Sequence, residues 1–215
     1  MRNFRTDATF ASELTPFAAE FLDQRNDAPL DLEVGCGVGW HPIRYARDHA
    51  DRKLIAIEKT TEKFEKFSGR LSRHCEKGEN FRSLLPVHAD AVSWVTRHVG
   101  DQTLSRVFIL YPNPSKKNPA GRWLRMPFFG ELLKKLKPGG EVILRTNIES
   151  YVSEAARYAR NVWKLELTCL RSFKSTDVSA GEEWSHFERK YLERGETCYE
   201  LVAKMAPSQG HAGAL

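Results

Sequence analysis

The 215-residue sequence is 41% hydrophobic and 28% charged, a balance that fits a folded globular chain and excludes a disordered one. Its net charge of +5 favours an anionic partner without requiring one. No apolar run reaches the roughly 18 residues of a membrane span, and Cys36, Cys75, Cys169 and Cys198 form no CxxC pair, so neither a membrane protein, a metal site nor a disulfide framework is expected. The start, Met1 to Asp7, carries no apolar signal-peptide core, which makes a reduced cytoplasm the expected compartment.

Residues 1–29 read as a helical lead-in. Leu30 to Val34 is a strand that ends in glycines, and Pro42 to His49 has helical spacing. Lys53 to Glu58 is a second strand, followed by a charged amphipathic helix from Thr60 to Cys75. Leu84 to His88 is a weaker strand, with a helix over Ala91 to His98. Arg106 to Tyr111 is the most apolar strand. A helix over Met126 to Leu136 is stopped by Pro138-Gly139-Gly140, and Glu141 to Arg145 is a fifth strand. Tyr151 to Val162 is helical, and Lys164 to Leu170 and Thr197 to Ala203 are strands. This rhythm predicts an α/β fold with a doubly wound, mostly parallel sheet. The last two strands have no helix of ordinary length between them, which predicts an antiparallel hairpin at one edge. Residues 207–215 are small and polar and read as a flexible tail.

The sharpest motif is Glu33-Val34-Gly35-Cys36-Gly37-Val38-Gly39, between the first strand and the first helix. Glycines there let the backbone turn tightly and approach a ligand, at the crevice where doubly wound sheets bind nucleotides. A dinucleotide fingerprint would place glycine at 40, which is Trp40. An acid two before the first glycine, with GxGxG, instead resembles the S-adenosylmethionine loop of class I methyltransferases. Glu58 ends the second strand, where an acid accepts hydrogen bonds from both ribose hydroxyls of an adenosine ligand. Asp90, followed by Ala91, stands where that class meets the adenine edge; the plain alternative is that Asp90 caps the helix starting at Ala91.

The fourth strand runs into Tyr111-Pro112-Asn113-Pro114-Ser115-Lys116-Lys117, whose prolines cannot extend it. From Tyr111 to Gly140 there are seven basic residues and one acid, which suggests a phosphate-bearing substrate. Lys134, Lys135 and Lys137 suit a helix C-terminus, whereas Lys116, Lys117 and Arg122 do not have that explanation. His41 reads as a surface or capping residue and His186 as a solvated loop residue. Trp123 and Trp184 are candidates for stacking on a base, with core packing as the commoner fate.

Taken together, the glycine motif, Ile57-Glu58, Asp90-Ala91, Tyr111-Pro112-Asn113-Pro114, Leu136-Lys137-Pro138-Gly139-Gly140, Thr146-Asn147 and Ser185-His186-Phe187-Glu188-Arg189-Lys190-Tyr191 resemble the bacterial tRNA (guanine-N7-)-methyltransferases. The likeness implies a Rossmann-like S-adenosylmethionine-dependent methyltransferase domain over residues 30–206 and a cytoplasmic enzyme. It further implies that S-adenosylmethionine is the donor, S-adenosylhomocysteine the product, and a guanine in the tRNA variable loop the acceptor. Carried over by position, Glu33, Gly35, Gly37, Gly39, Glu58, Asp90, Ala91 and Asn113 are cofactor-binding. Asn113 also stands at the catalytic position, and Lys117, Asn147, Ser185 and Glu188 are substrate-binding. The chain departs from the family where Asn113 replaces the aspartate of Phe-Pro-Asp-Pro-Trp, Ser115 its tryptophan, and Asn147 the aspartate of Thr-Asp. With those acids gone, Glu188 is the expected source of negative charge on the substrate side. Two other readings stay open on these residues: N-methylation of a small purine-like heterocycle by the same fold, and a catalytically silent protein that binds cofactor or RNA. No membrane or metal partner is expected.

Overall fold

The computed structural model describes residues 14–23, 27–114, 118–179, 181–182 and 184–206. The Lys116 and Lys117 cations, the first part of the lead-in and the tail from residue 207 lie outside the described residues. Within the lead-in, α1 (Pro16–Leu22) starts on a Thr15 cap whose hydroxyl accepts from the Ala18 amide at 3.1 Å.

Strands β1 (Leu30–Val34) and β2 (Lys53–Glu58) are buried at every position, so both faces of the sheet must be covered. Alternate side chains serve opposite layers. Ile55 and Ile57 pack toward α4 (Ala91–His98), α5 (Pro127–Lys135) and α6 (Glu149–Asn161), while Leu54 and Ala56 pack toward α2 (Trp40–Asp48), α3 (Thr61–Glu76) and α7 (His186–Glu193). The remaining strands are β3 (Leu84–His88), β4 (Leu104–Leu110), β5 (Leu136–Thr146), β6 (Glu166–Phe173) and β7 (Cys198–Lys204). Their order is β3-β2-β1-β4-β5-β7-β6, with β1 to β5 parallel. Pro86 is tolerated because β3 is an edge strand. Strand order reverses between β1 and β4, and the crevice at their carboxyl ends is where this architecture binds ligands.

Two details differ from expectation. The antiparallel edge is present, but it is not a simple hairpin: α7 lies in the connection, and β7 inserts between β5 and β6, antiparallel to both. Pro138-Gly139-Gly140 does not separate helix from strand. The helix stops at Lys135, and these residues form an irregular start to β5, where the register against β4 shifts between Leu104 and Arg106.

Beneath the glycine loop, the fully buried Asp31 on β1 receives Arg52 Nε and Nη2 and the Tyr45 hydroxyl, each at 2.7 Å. Burial and the Asp31 charge push Tyr45 up to about 12. This cluster ties β1 to α2 and to the turn before β2. Asp31→Ala should lower the unfolding free energy by about 3 kcal/mol, because it strands a partly buried guanidinium. Urea unfolding of the two proteins measures the difference.

Candidate functional site

Past β1 the backbone enters the left-handed region at Gly35 (φ 74°) and Gly37 (φ 61°). A Cβ built on either would meet no atom within 4 Å, so at both positions the bare backbone is presented to a ligand. Gly39 (φ 79°) is different: a Cβ there would run into the Phe67 ring of α3. At 39 the Phe67 ring leaves no room for a side chain, so the position also answers to the packing of α3.

Glu58 is buried, and its carboxylate accepts from the Gly37 amide at 2.9 Å and the Thr60 amide at 2.7 Å. Each oxygen keeps lone-pair capacity toward a cavity of about 580 Å³. Gly35, Gly37, Glu58, Tyr111, Asn113 and Asn147 share its wall. Open backbone at the two glycines beside a pre-oriented acid fits an adenosine-bearing donor. Glu33 is buried, 2.7 Å from His41 Nδ1, and lines a small cavity with Gly35, Gly37, Ser185 and Phe187. His41 is therefore an interior residue, contrary to its expected surface position. Asp90 accepts from the Ser93 amide at 3.2 Å and from Lys59 Nζ at 3.0 Å. The capping alternative is thus realised, and neither Asp90 nor Ala91 is among the described residues lining the cavity.

On the acceptor side, Tyr111 turns the chain out of β4 with φ 47°, a left-handed backbone that costs a tyrosine about 1 kcal/mol or more. Its amide donates to the Arg145 carbonyl at 2.8 Å, and its hydroxyl donates to Glu188 Oε2 at 2.8 Å. That turn lays Pro112, Asn113 and Pro114 along the cavity. Asn147, at the end of β5, donates through Nδ2 to Glu196 Oε2 at 2.8 Å. Arg122 lines the cavity but is paired with Glu154, which also takes Arg125 at 3.0 Å. Lys134 and Lys135 pair with Glu131 and Asp101 at the end of α5, as a helix C-terminus favours.

Glu188 does not face the cavity. It is fully buried and accepts from Arg145 Nη1 at 3.0 Å, from the Trp184 amide at 2.9 Å and from Tyr111. Ser185 is the cap of α7, accepting from the Glu188 amide at 3.1 Å. The expectation that Glu188 supplies charge to a substrate is therefore corrected: its charge answers Arg145. Arg145 also donates through Nε to Glu200 at 2.6 Å and sits 3.4 Å from the Trp184 ring centroid. Trp184, a half-buried ring packed against the core, in turn stacks on His41, whereas Trp123 lies on the cavity wall. Burial would raise the Glu200 carboxyl, but Arg145 and Arg171 outweigh it and hold it below its ordinary value. Burial, reinforced by Glu188, pushes the Tyr111 hydroxyl far up. Arg145, Glu196 and Glu200 escaped the sequence reading. The one available signal was a lone arginine closing the apolar run Val142-Ile143-Leu144.

Among the described residues no group of His, Cys, Asp and Glu could hold a metal ion, and no helix is long and apolar enough to cross a membrane. Among solved structures, 16S rRNA methyltransferase KamB superposes with a TM-score of 0.67 at 20% identity, covering 94% of this chain and 99% of that one, a likeness that shows the methyltransferase fold. The family model described as "Putative methyltransferase" matches residues 27–201. The tRNA (guanine-N(7)-)-methyltransferase of Myxococcus xanthus is 30% identical over 181 residues, 80% of this chain and 81% of that protein. The enzyme of the same name from Wolinella succinogenes is 24% identical over 199 residues, 91% of this chain, which spans 48% of that relative's length. The chain belongs to the tRNA (guanine-N7-)-methyltransferase family of S-adenosylmethionine-dependent methyltransferases.

Two outcomes follow from the buried cluster. Glu188→Ala should cost about 3–5 kcal/mol in denaturant unfolding, where loss of a mere surface contact would stay within about 0.5 kcal/mol. Because the folded Glu200 value lies below its ordinary 4.5, its stabilising contribution is complete above about pH 4.5 and is lost as pH falls further. Thermal melts from pH 6 downward, to about pH 3, should show a shallower acid loss in Glu200→Gln than in the parent protein.

Proposed function

We propose that this protein transfers the methyl group of S-adenosylmethionine to N7 of a guanine in tRNA, within the variable loop. The observation that carries the donor half is Glu58, tied by its two backbone N–H contacts beside the open glycines Gly35 and Gly37. The names of the relatives support the acceptor half. Bound there, S-adenosylmethionine supplies an electrophilic methyl group on a positively charged sulfur.

In this reading Glu58 accepts the ribose hydroxyls, and Gly35 and Gly37 let the donor lie against the backbone. Glu33, paired with His41, lies beside the loop. Guanine N7 already carries an in-plane lone pair and no proton, so the residues need to align rather than deprotonate. Alignment alone can supply about 7–11 kcal/mol of a barrier. Asn113, placed on the wall by the Tyr111 turn, orients the base; its amide can donate and accept at once. Asn147 presents its remaining amide capacity to the base while Glu196 stands behind it. The methylated base is cationic, and Glu196 supplies negative charge one side chain removed from it. Lys117 is assigned to the substrate by its match to the family's substrate-contacting lysine alone, and Ser185 acts by setting the start of α7.

The decisive experiment is transfer of labelled methyl to tRNA from a strain lacking N7-methylguanine, with the product base identified by digestion. Label in N7-methylguanine at a variable-loop position is expected. Label in another base, or in free purines alone, would sink the reading. Glu58→Gln should weaken calorimetric binding of S-adenosylhomocysteine about tenfold or more, the cost of about 1.4 kcal/mol or more in charge-assisted hydrogen bonding. Asn113→Ala should lower kcat about 100-fold, measured in the same labelled-methyl assay.

A further inference from the structure

A series of aromatic rings leads out of the cavity along α7. Tyr111, at the β4 exit, lies 5.7 Å from Tyr191, and Tyr191 lies 6.3 Å from Phe187 at an interplanar angle of 23°. Phe187 is 39% exposed, at the mouth of the cavity. Burial of such a ring is strongly favourable, and an exposed one beside a binding cavity marks a contact surface. From Phe187 the series continues through His186 at 5.9 Å to Trp40 at 6.1 Å. Two guanidiniums lie over Trp40: Arg70 at 5.4 Å and Arg189 at 5.9 Å from the ring centroid. Arg70 also donates to the Val38 carbonyl at 3.3 Å, and Arg189 to Glu193 at 2.8 Å, so both are held in place against Trp40. Lys63 lines the cavity with Phe187.

An exposed Phe187 ring, joined through His186 to a Trp40 ring that carries two arginines, is a combination suited to unpaired nucleotides. Every base has a π-face that stacks on an aromatic ring, and arginine forks match phosphate oxygens. An acidic protein segment would use the cations and an apolar one the ring, whereas a nucleotide strand uses both. We propose that Phe187, with Arg70 and Arg189 ordered by Trp40, forms a second nucleotide site at the cavity rim. It stacks one unpaired base next to the methyl acceptor and holds the adjoining phosphate. The inference rests on the RNA reading above and adds how single-stranded RNA is gripped outside the cavity.

The test has two arms. In the first, binding of a fluorescent single-stranded RNA carrying adjacent unpaired purines is compared with binding of the same strand in duplex form. Binding of the single strand should be clearly tighter. Phe187→Leu should weaken it about tenfold, as loss of one stacked base does. Arg70→Gln with Arg189→Gln should reduce the salt slope by about one to two phosphates. Trp40→Phe should retain binding. In the second arm, Phe187→Leu should raise the KM for tRNA about tenfold, while kcat and S-adenosylhomocysteine affinity stay within about twofold. Equal binding of single strand and duplex, or unchanged affinity and KM in Phe187→Leu, would overturn the proposal. So would an equal loss of S-adenosylhomocysteine affinity in that variant, since the ring would then shape the donor site. If the wild-type protein binds the single strand as described but methylates no tRNA, the rim site stands and the proposed reaction falls.

Discussion

A guanidinium removed from water must have its donors answered, or it costs several kcal/mol to bury. Arg145 meets that demand at the centre of this molecule. It closes β5, takes carboxylates from Glu188 on α7 and Glu200 on β7, and lies against the Trp184 ring. Glu188 passes the arrangement on to Tyr111, whose left-handed turn directs the β4 exit into the cavity. Through Trp184 and His41 the same cluster reaches the Glu33 carboxylate beside the glycine loop. One buried charge therefore fixes α7, the acceptor segment and the acid beside the donor loop in a single arrangement.

The two halves of the site were not equally legible in the sequence. The turn at Gly35 and Gly37 and the acid Glu58 beside it could be read because they follow local rules: a turn that needs positive φ, and an acid at a strand end. Strands β1 to β4 were legible for the same reason, as short apolar runs bounded by turn residues. The acceptor half depends on pairing distant in sequence. Nothing near Glu188 announces Arg145, 43 residues away, so an acid in a motif read as a substrate contact when it is an internal counter-ion. The insertion of β7 between β5 and β6 is likewise set by partners, not by local pattern. Asp90 shows the local case: a cap needs only a neighbour three residues on, and that bond is made. Gly39 shares the positive φ of its two companions, and the Phe67 ring from α3 gives it a packing constraint that they lack.

The exchange of aspartate for asparagine at 113 and 147 is easier to understand once the neighbours are known. A carboxylate at 147 would stand 2.8 Å or so from Glu196, two like charges at hydrogen-bond distance. One of them would have to hold a proton, and the pair would not serve as a stable anion. Asparagine removes that conflict, because its Nδ2 donates to Glu196. The negative charge is moved back by one side chain rather than lost. A reaction that begins with a lone pair and no proton tolerates that displacement: it needs the acceptor aligned and the nascent cation within electrostatic reach, but no base in contact. The same substitution would be far more damaging where the acceptor first had to give up a proton, so the pair Asn147–Glu196 is itself an argument for a ring nitrogen such as N7 over an amine or hydroxyl acceptor.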